Sequence, residues 1–332
     1  MSTTVAAGPT TDSQAKRERI AGLVQRYGAA IVLVVLVITG AFAFPTFPTG
    51  SNFNNIATQS SFLLIVAIGE TFVILVGGGG IDLSVGSMFA LGGVLAAYGS
   101  AFGPFGAFLL PLVVCGLVGA FQAFLIAYAK MDPFIVTLAG LLGIRGLVFA
   151  ITNAGADTPL IKDAGTVAVG QGHVFGLRWP VIIAIAIVVI GSIILARSRG
   201  GQSVLAIGGS ESAATLMGLP VARVKFTVYV LSGLCAGFGG ALNAAYSSSG
   251  VPAVGVGLEL SAIAAVVIGG TLLSGGRGDL IGTTAGVLLL SVIQNMINQV
   301  GSLSSSVQNV VSGAFLAIVV VIQTVLSRTQ RL

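Results

Sequence analysis

Two charged side chains, Glu70 and Arg145, fall inside long apolar stretches of a 332-residue chain in which only 8% of residues are charged. A central arginine costs about 2.5 to 3.5 kcal/mol on membrane-insertion scales, so each of these groups needs a partner or water. A helical rise of about 1.5 Å per residue puts Arg145 roughly 16 Å and Glu70 roughly 9 Å from the inner ends of their stretches. Long side chains bridge that difference, and a structural ion pair is the first expectation. A proton or sodium site is the second. His173 is the only histidine, and Cys115 and Cys235 both lie in apolar runs. Metal-ligand clusters and histidine-based triads are therefore excluded by counting, and the thiols are expected to pack as small hydrophobes. Two amide clusters, Asn54, Asn55, Thr58 and Gln59, and Gln294, Asn295, Asn298 and Gln299, offer neutral hydrogen-bonding groups that suit a weakly held, hydroxylated solute on a pathway. Polar glue between helices is the competing reading.

The elements that must position these groups are membrane spans. Hydrophobic residues make up 55% of the chain, and the mean hydropathy is +1.04, far from an ordinary soluble domain. Apolar segments run over Gly28–Phe44, Ile56–Val76, Val85–Ala101, Phe105–Ala129, Phe134–Ile151, Val181–Ala196, Phe226–Tyr246, Leu258–Leu273, Leu280–Val300 and Val310–Leu326. The expectation is an all-α polytopic membrane protein of about ten helices. With both termini cytoplasmic, twelve of the fifteen basic residues lie inside, only Lys162 and Arg178 outside, and Arg145 within a span, as the positive-inside rule requires. Making the segment that ends at Leu273 re-entrant would expel Arg328 and Arg331. The basic residues flank spans rather than forming one patch, so lipid explains them and no nucleic-acid partner is implied. Residues 1–27 read as a cytoplasmic tail, loose before Ile20, 28–327 as the membrane domain, and 328–332 as a second tail. A basic leader ahead of Ala41-Phe42-Ala43 imitates a secretory signal, but its apolar run is nearer in length to a span. Outside, the longest connection runs from Thr152 to Trp179, where Trp179 suits an interfacial anchor.

One cytoplasmic loop stands apart. Between Arg197 and Lys225 the chain reads RSRGGQSVLAIGGSESAATLMGLPVARVK. Ser210 is a good N-cap, Glu211 suits the first turn, and Gly218 with Pro220 supplies a stop. A short helix from Glu211 to Met217 follows, with Ala213, Leu216 and Met217 on one face as an apolar knob for a groove on a soluble protein. Lying on its own membrane surface is the alternative. Four glycines, Gly77 to Gly80, break the chain between the second and third spans, since each glycine costs a helix about 1 kcal/mol relative to alanine. Asp82 and Ser84 then stand where the next helix begins, with Asp82 as a candidate cap. No phosphate-binding loop pattern occurs. Gly278, Gly282 and Gly286, and Gly233 with Gly237, give nearly bare helix faces for close packing, within the subunit first and between subunits second.

The stretches VILVGGGGIDLSVGS, PFIVTLAGLLGIRGL, GQSVLAIGGSESAATLMGLPV and ELSAIAAVVIGGTLLSGGRGDLIGT resemble the permease subunits of ribose-type bacterial ABC sugar importers, over nearly everything after Asn52. Within that group, GGTLLSGG, ATLMG and GSLSSS are most similar to a galactofuranose importer permease. The resemblance implies a non-enzymatic half of a membrane channel in the bacterial cytoplasmic membrane, binding no cofactor itself. It implies a second permease subunit, like or unlike, a cytosolic ATP-binding protein that uses ATP and Mg, and an extracytoplasmic sugar-binding protein. It also makes the 197–225 loop the place where the ATPase couples, through Ser210, Glu211, Ala213, Leu216, Met217 and Gly218. Arg145 and the Ile81-Asp82-Leu83-Ser84 run match family positions. Glu70 departs from the usual glutamine or methionine, and the glycine run is about two residues longer than usual.

Overall fold

The computed structural model describes residues 12–300 together with 310, 313 and 314, with side chains from Gly28 onward. Twelve α-helices carry the described chain: α1 (Asp12–Ala43), α2 (Gly50–Leu75), α3 (Val85–Gly99), α4 (Gly103–Ala127), α5 (Pro133–Ile151), α6 (Ala164–Gln171), α7 (Trp179–Arg197), α8 (Arg199–Gly209), α9 (Glu211–Leu216), α10 (Val221–Ser247), α11 (Leu258–Ile268) and α12 (Leu280–Gln299). Strands β1 (His173–Val174) and β2 (Leu177–Arg178) form one small antiparallel hairpin.

Six helical stretches among the described residues are long and apolar enough to cross a membrane: α2, Val85–Ala127, α5, α7, α10 and α12. Val85–Ala127 is a hairpin of two helices. Gly99 is packed against Gly106, Cys115 Sγ reaches Met88 O at 3.7 Å, and Ser84 lies beside Gln122, so α3 and α4 run antiparallel. The helix α1 begins at Asp12, so the stretch before Ile20 expected to be loose is helical from there on. No proline interrupts 12–43. The segment Leu258–Leu273, expected to cross, is helical over 11 residues only. At about 1.5 Å per residue that covers roughly half a hydrocarbon core. The last expected span, Val310–Leu326, lies almost wholly outside the described residues.

The core is organised around α10, which packs on α2, α3 and α4. Small residues make this possible. Gly92 faces the backbone of Gly237, and Gly240 faces the carbonyl of Phe89 so closely that a Cβ at either glycine would overlap backbone atoms. The same device joins α11 to α12, where Gly282 and Gly286 meet Gly269 and Ala265. The glycine faces thus serve contacts within the subunit.

The long connection 152–178 is built rather than slack. Ile161 N donates to Ser248 O at 2.9 Å and Gly250 N to Pro159 O at 2.8 Å, while Gly170 lets α6 rest on the backbone of Ala245 and Tyr246. Asp163 caps α6: its Oδ2 accepts both the Thr166 amide and hydroxyl at 2.7 Å. Those bonds hold the Asp163 carboxyl below its ordinary range.

Candidate functional site

On the face that carries the long polar loop, α8 and α9 form the expected structured segment. Ser198 Oγ caps α8 through Gly201 N at 3.0 Å, and Ser210 Oγ caps α9 through Ala213 N at 3.3 Å. The helix α9 ends one residue earlier than expected, at Leu216; Met217 is its C-cap and Gly218 turns the chain with φ +79°. Ala214 is buried, Ala213 is exposed, and Leu216 and Met217 are 90% and 72% exposed. The single ion pair among the described residues anchors this helix: Lys225 Nζ on α10 contacts Glu211 Oε2 at 2.8 Å and Oε1 at 2.9 Å. An apolar knob is therefore held outward on a braced support.

The glycine run docks directly beneath. Gly77, Gly78 and Gly79 all have φ between +64° and +73°, a region that only glycine enters at no steric cost. Gly77 abuts Gly208 of α8 and Ser274 O, and Gly78 lies beside Glu211 Oε2 and Lys225 Nζ. A cavity of about 470 Å³ opens here, lined by Gly78, Lys130, Asp132, Glu211, Thr215 and Lys225 among others. The Glu211–Lys225 pair that anchors α9 thus lies directly against the α2–α3 connection.

That connection ends in a buried polar cluster. Glu70 and Asp82 are both fully buried. Glu70 Oε1 accepts Asp82 N–H at 3.1 Å. Asp82 Oδ1 accepts Ser84 N at 3.0 Å and Ser84 Oγ at 2.6 Å, and its Oδ2 accepts Ser232 Oγ of α10 at 2.8 Å. Ser84 Oγ also lies 3.1 Å from Gln122 Oε1 of α4. Asp82 does not cap α3 as expected: its side chain closes a turn on Ser84, and the N-cap Ser84 makes no side-chain cap bond. The cluster ties four helices together. Ser232, Gln122 and the buried Tyr229 carried no distinguishing signal in sequence, because isolated hydroxyl and amide residues in spans occur throughout this chain.

The expected Glu70–Arg145 ion pair is not formed. Arg145 Nη1 donates instead to Val254 O at 2.9 Å and Pro252 O at 3.3 Å, and the acid that acts electrostatically on it is Glu259. Depths within side-chain reach of each other do not place two side chains on facing sides of their helices, and Glu70 looks inward to the α2–α3 connection. Glu259 was not singled out in sequence; its signal was an acid directly after the Gly255-Val256-Gly257 break.

Three members of the amide clusters, Asn54, Asn295 and Gln299, bond to other elements. Asn52 and Asn295 exchange hydrogen bonds at 3.1 and 2.8 Å, Gln299 Nε2 donates to Asn295 Oδ1 at 2.8 Å, and Thr46 Oγ1 donates to Gln299 Oε1 at 2.7 Å. Asn54 Nδ2 donates to Gly176 O at 3.0 Å, and Thr58 is buried with its hydroxyl on Asn54 O. Asn55, Gln59, Gln294 and Asn298 remain exposed.

Residues 52–320 match the family described as the branched-chain amino acid transport system / permease component. The chain is 38% identical over 312 residues to the ribose import permease protein RbsC of Bacillus subtilis (strain 168), covering 93% of this chain and 96% of that one. It is 40% identical over 290 residues to the inner membrane ABC transporter permease protein YjfF of Escherichia coli (strain K12), covering 84% and 86%. It is 35% identical over 282 residues to the L-arabinose ABC transporter permease protein AraH of Azospirillum brasilense, covering 83% and 81%. With the family model matched over most of the chain and relatives of this identity covered nearly end to end, the chain belongs to this permease family as a non-catalytic, multi-pass transport component.

Proposed function

We propose that the chain is the permease subunit of an ABC sugar importer, one half of the translocation pathway for a monosaccharide, driven by a separate cytosolic ATP-binding protein. The observation that carries the coupling is α9: a helix capped at both ends, pinned to α10 by Glu211–Lys225, with Leu216 and Met217 thrust outward. Large apolar side chains on an otherwise polar surface loop mark a protein contact. Ser210 and Gly218 set the ends of the helix, and the glycine loop beneath it passes its displacement along the α2–α3 connection to the Glu70–Asp82 cluster. ATP and Mg belong to the partner. An extracytoplasmic binding protein delivers the sugar, and a second permease subunit completes the pathway, with both chain ends in the cytosol.

The relatives named for ribose and L-arabinose, both pentoses, support a monosaccharide cargo, and GGTLLSGG, ATLMG and GSLSSS favour the hexose galactofuranose. The exposed amides Asn55, Gln59, Gln294 and Asn298 are the members of the two outer clusters best placed to meet it, while Asn54, Thr58 and Asn295 hold them in position.

The test is the double variant Leu216→Asp and Met217→Asp in the complex purified with its ATPase. Both side chains are exposed, so insertion and yield should match wild type while ATPase copurification is lost. Retained copurification with full uptake would remove α9 from the mechanism. Uptake into vesicles lacking the ATPase but carrying an ion gradient would instead establish a secondary transporter, and competition by leucine alone would establish an amino-acid permease.

A further inference from the structure

Ten residues, Ser248–Gly257, separate α10 from α11 without helix. They run along a membrane helix: Gly250 packs on Gly93 and Val94, and Gly255 on Gly86, so this irregular backbone tracks most of the length of α3. Backbone of this kind at membrane depth is tolerated only when buried in protein or lining a watery cavity. Val251, Ala253 and Val256 are exposed, Val256 by 75%. Across from them stands α5, more than halfway along which Arg145 is half-buried and spends Nη1 on the carbonyls of Pro252 and Val254. Neither Gly143 nor Gly146 has any atom within 4 Å of where a Cβ would be, so the α5 surface around Arg145 is open.

Glu259, in the first turn of α11, completes the constellation. It is close enough to Arg145 to act on it electrostatically, yet no ion pair joins them. Its Oε2 is wedged against Gly86 with no hydrogen-bond partner. A guanidinium with unspent donors on an open face, beside a buried carboxylate oxygen with no partner, cannot be left against lipid without a cost of several kcal/mol. Opposed donors and acceptors of this kind match vicinal hydroxyl groups, which give one hydrogen bond and take another.

We propose that Arg145, Glu259 and the non-helical strand Val251–Gly257 form a water-filled step of the translocation pathway that takes a polyhydroxylated ligand. The Arg145–carbonyl bonds hold the strand in place, and the start of α11 forms the floor of the step. This assignment rests on the reading of the chain as a permease, and it continues the pathway from the outer amide clusters into the middle of the membrane.

The test uses the full complex in membranes. Val256→Cys and Gly146→Cys are each treated with a membrane-impermeant methanethiosulfonate, with Leu117→Cys on the exposed apolar face of α4 as the lipid-facing control; the native Cys115 and Cys235 are buried. Labelling at Val256→Cys and Gly146→Cys is expected at least about tenfold faster than at the control. Equal rates overturn the watery step, whatever the ATPase does. Millimolar D-ribose, L-arabinose or D-galactose should slow labelling of Val256→Cys several-fold, and L-leucine should not. Protection by leucine alone, or by none of the sugars, overturns the ligand class. Arg145→Gln and Glu259→Gln should each lower sugar uptake at least about tenfold with ATPase copurification intact; uptake equal to wild type in both overturns the assignment. Failure of the wild-type chain to copurify an ATPase would sink the importer reading, while the labelling rates would still decide the watery step.

Discussion

Glu70 gives the sharpest test of how the buried cluster is held. Its Oε1 satisfies the Asp82 amide at 3.1 Å, while its Oε2 has no partner and a second acid sits beside it. Glu70→Gln keeps an amide oxygen for the Asp82 N–H, removes one of two neighbouring buried acids, and offers an N–H₂ group to the cluster. Glu70→Leu keeps the bulk but leaves the Asp82 N–H buried and unsatisfied, a loss of about 1 to 3 kcal/mol. With a melting shift of roughly 1.4 °C per kcal/mol for a chain of this size, Glu70→Leu should unfold about 1 to 4 °C lower. Glu70→Gln should unfold at the wild-type temperature or slightly above. A thermal series read by fluorescence-detected size-exclusion chromatography on the purified permease measures both. If Glu70→Gln falls as far as Glu70→Leu, the acid itself is required and the accounting by hydrogen bonds is wrong; if Glu70→Leu is neutral, the Asp82 amide has another partner.

Three further outcomes follow from the packing. Gly240→Ala places a methyl on the Phe89 carbonyl and should destabilise by about 1 to 3 kcal/mol, or block assembly, whereas Gly209→Ala, with open space around it, should be near neutral in the same melting series. Asn52→Ala breaks the reciprocal bond to Asn295 between α2 and α12 and should cost about 1 kcal/mol, seen as faster proteolysis at the outer ends of these helices. Because the Asp163 carboxyl is held below its ordinary range, its contribution to α6 is present above the unfolded-state value and is lost only as pH falls through the lower folded-state value. Amide-exchange protection at Thr166 should therefore persist through the ordinary carboxylate range and vanish in Asp163→Ala at neutral pH.

The apolar runs, the cap at Ser210, the glycine break at Gly77–Gly80 and the exposed knob at Leu216 and Met217 were all legible in the sequence. These are local matters: hydropathy sets which segments leave water, a side-chain oxygen three residues before an amide caps it, and consecutive glycines cannot sustain a helix. The glycine repeats of α10 and α12 announced close packing, though not against which neighbour. The amide clusters read equally well as pathway or glue, and Asn52 with Asn295 turned out to bridge α2 and α12.

Tertiary structure alone decided the partners. Depth along two spans made Glu70 and Arg145 look like a pair, but the rotation of each helix about its axis turned one toward the Asp82 amide and the other toward the carbonyls of Pro252 and Val254. The early end of α11 was likewise not set by hydropathy: the helix starts at Leu258 as expected, but the chain leaves it after Ile268, where Gly270 turns with φ +96°. Composition fixes that a segment is in the membrane; only the neighbours that satisfy its backbone and polar groups fix its conformation there, and those neighbours lie on helices far away in sequence.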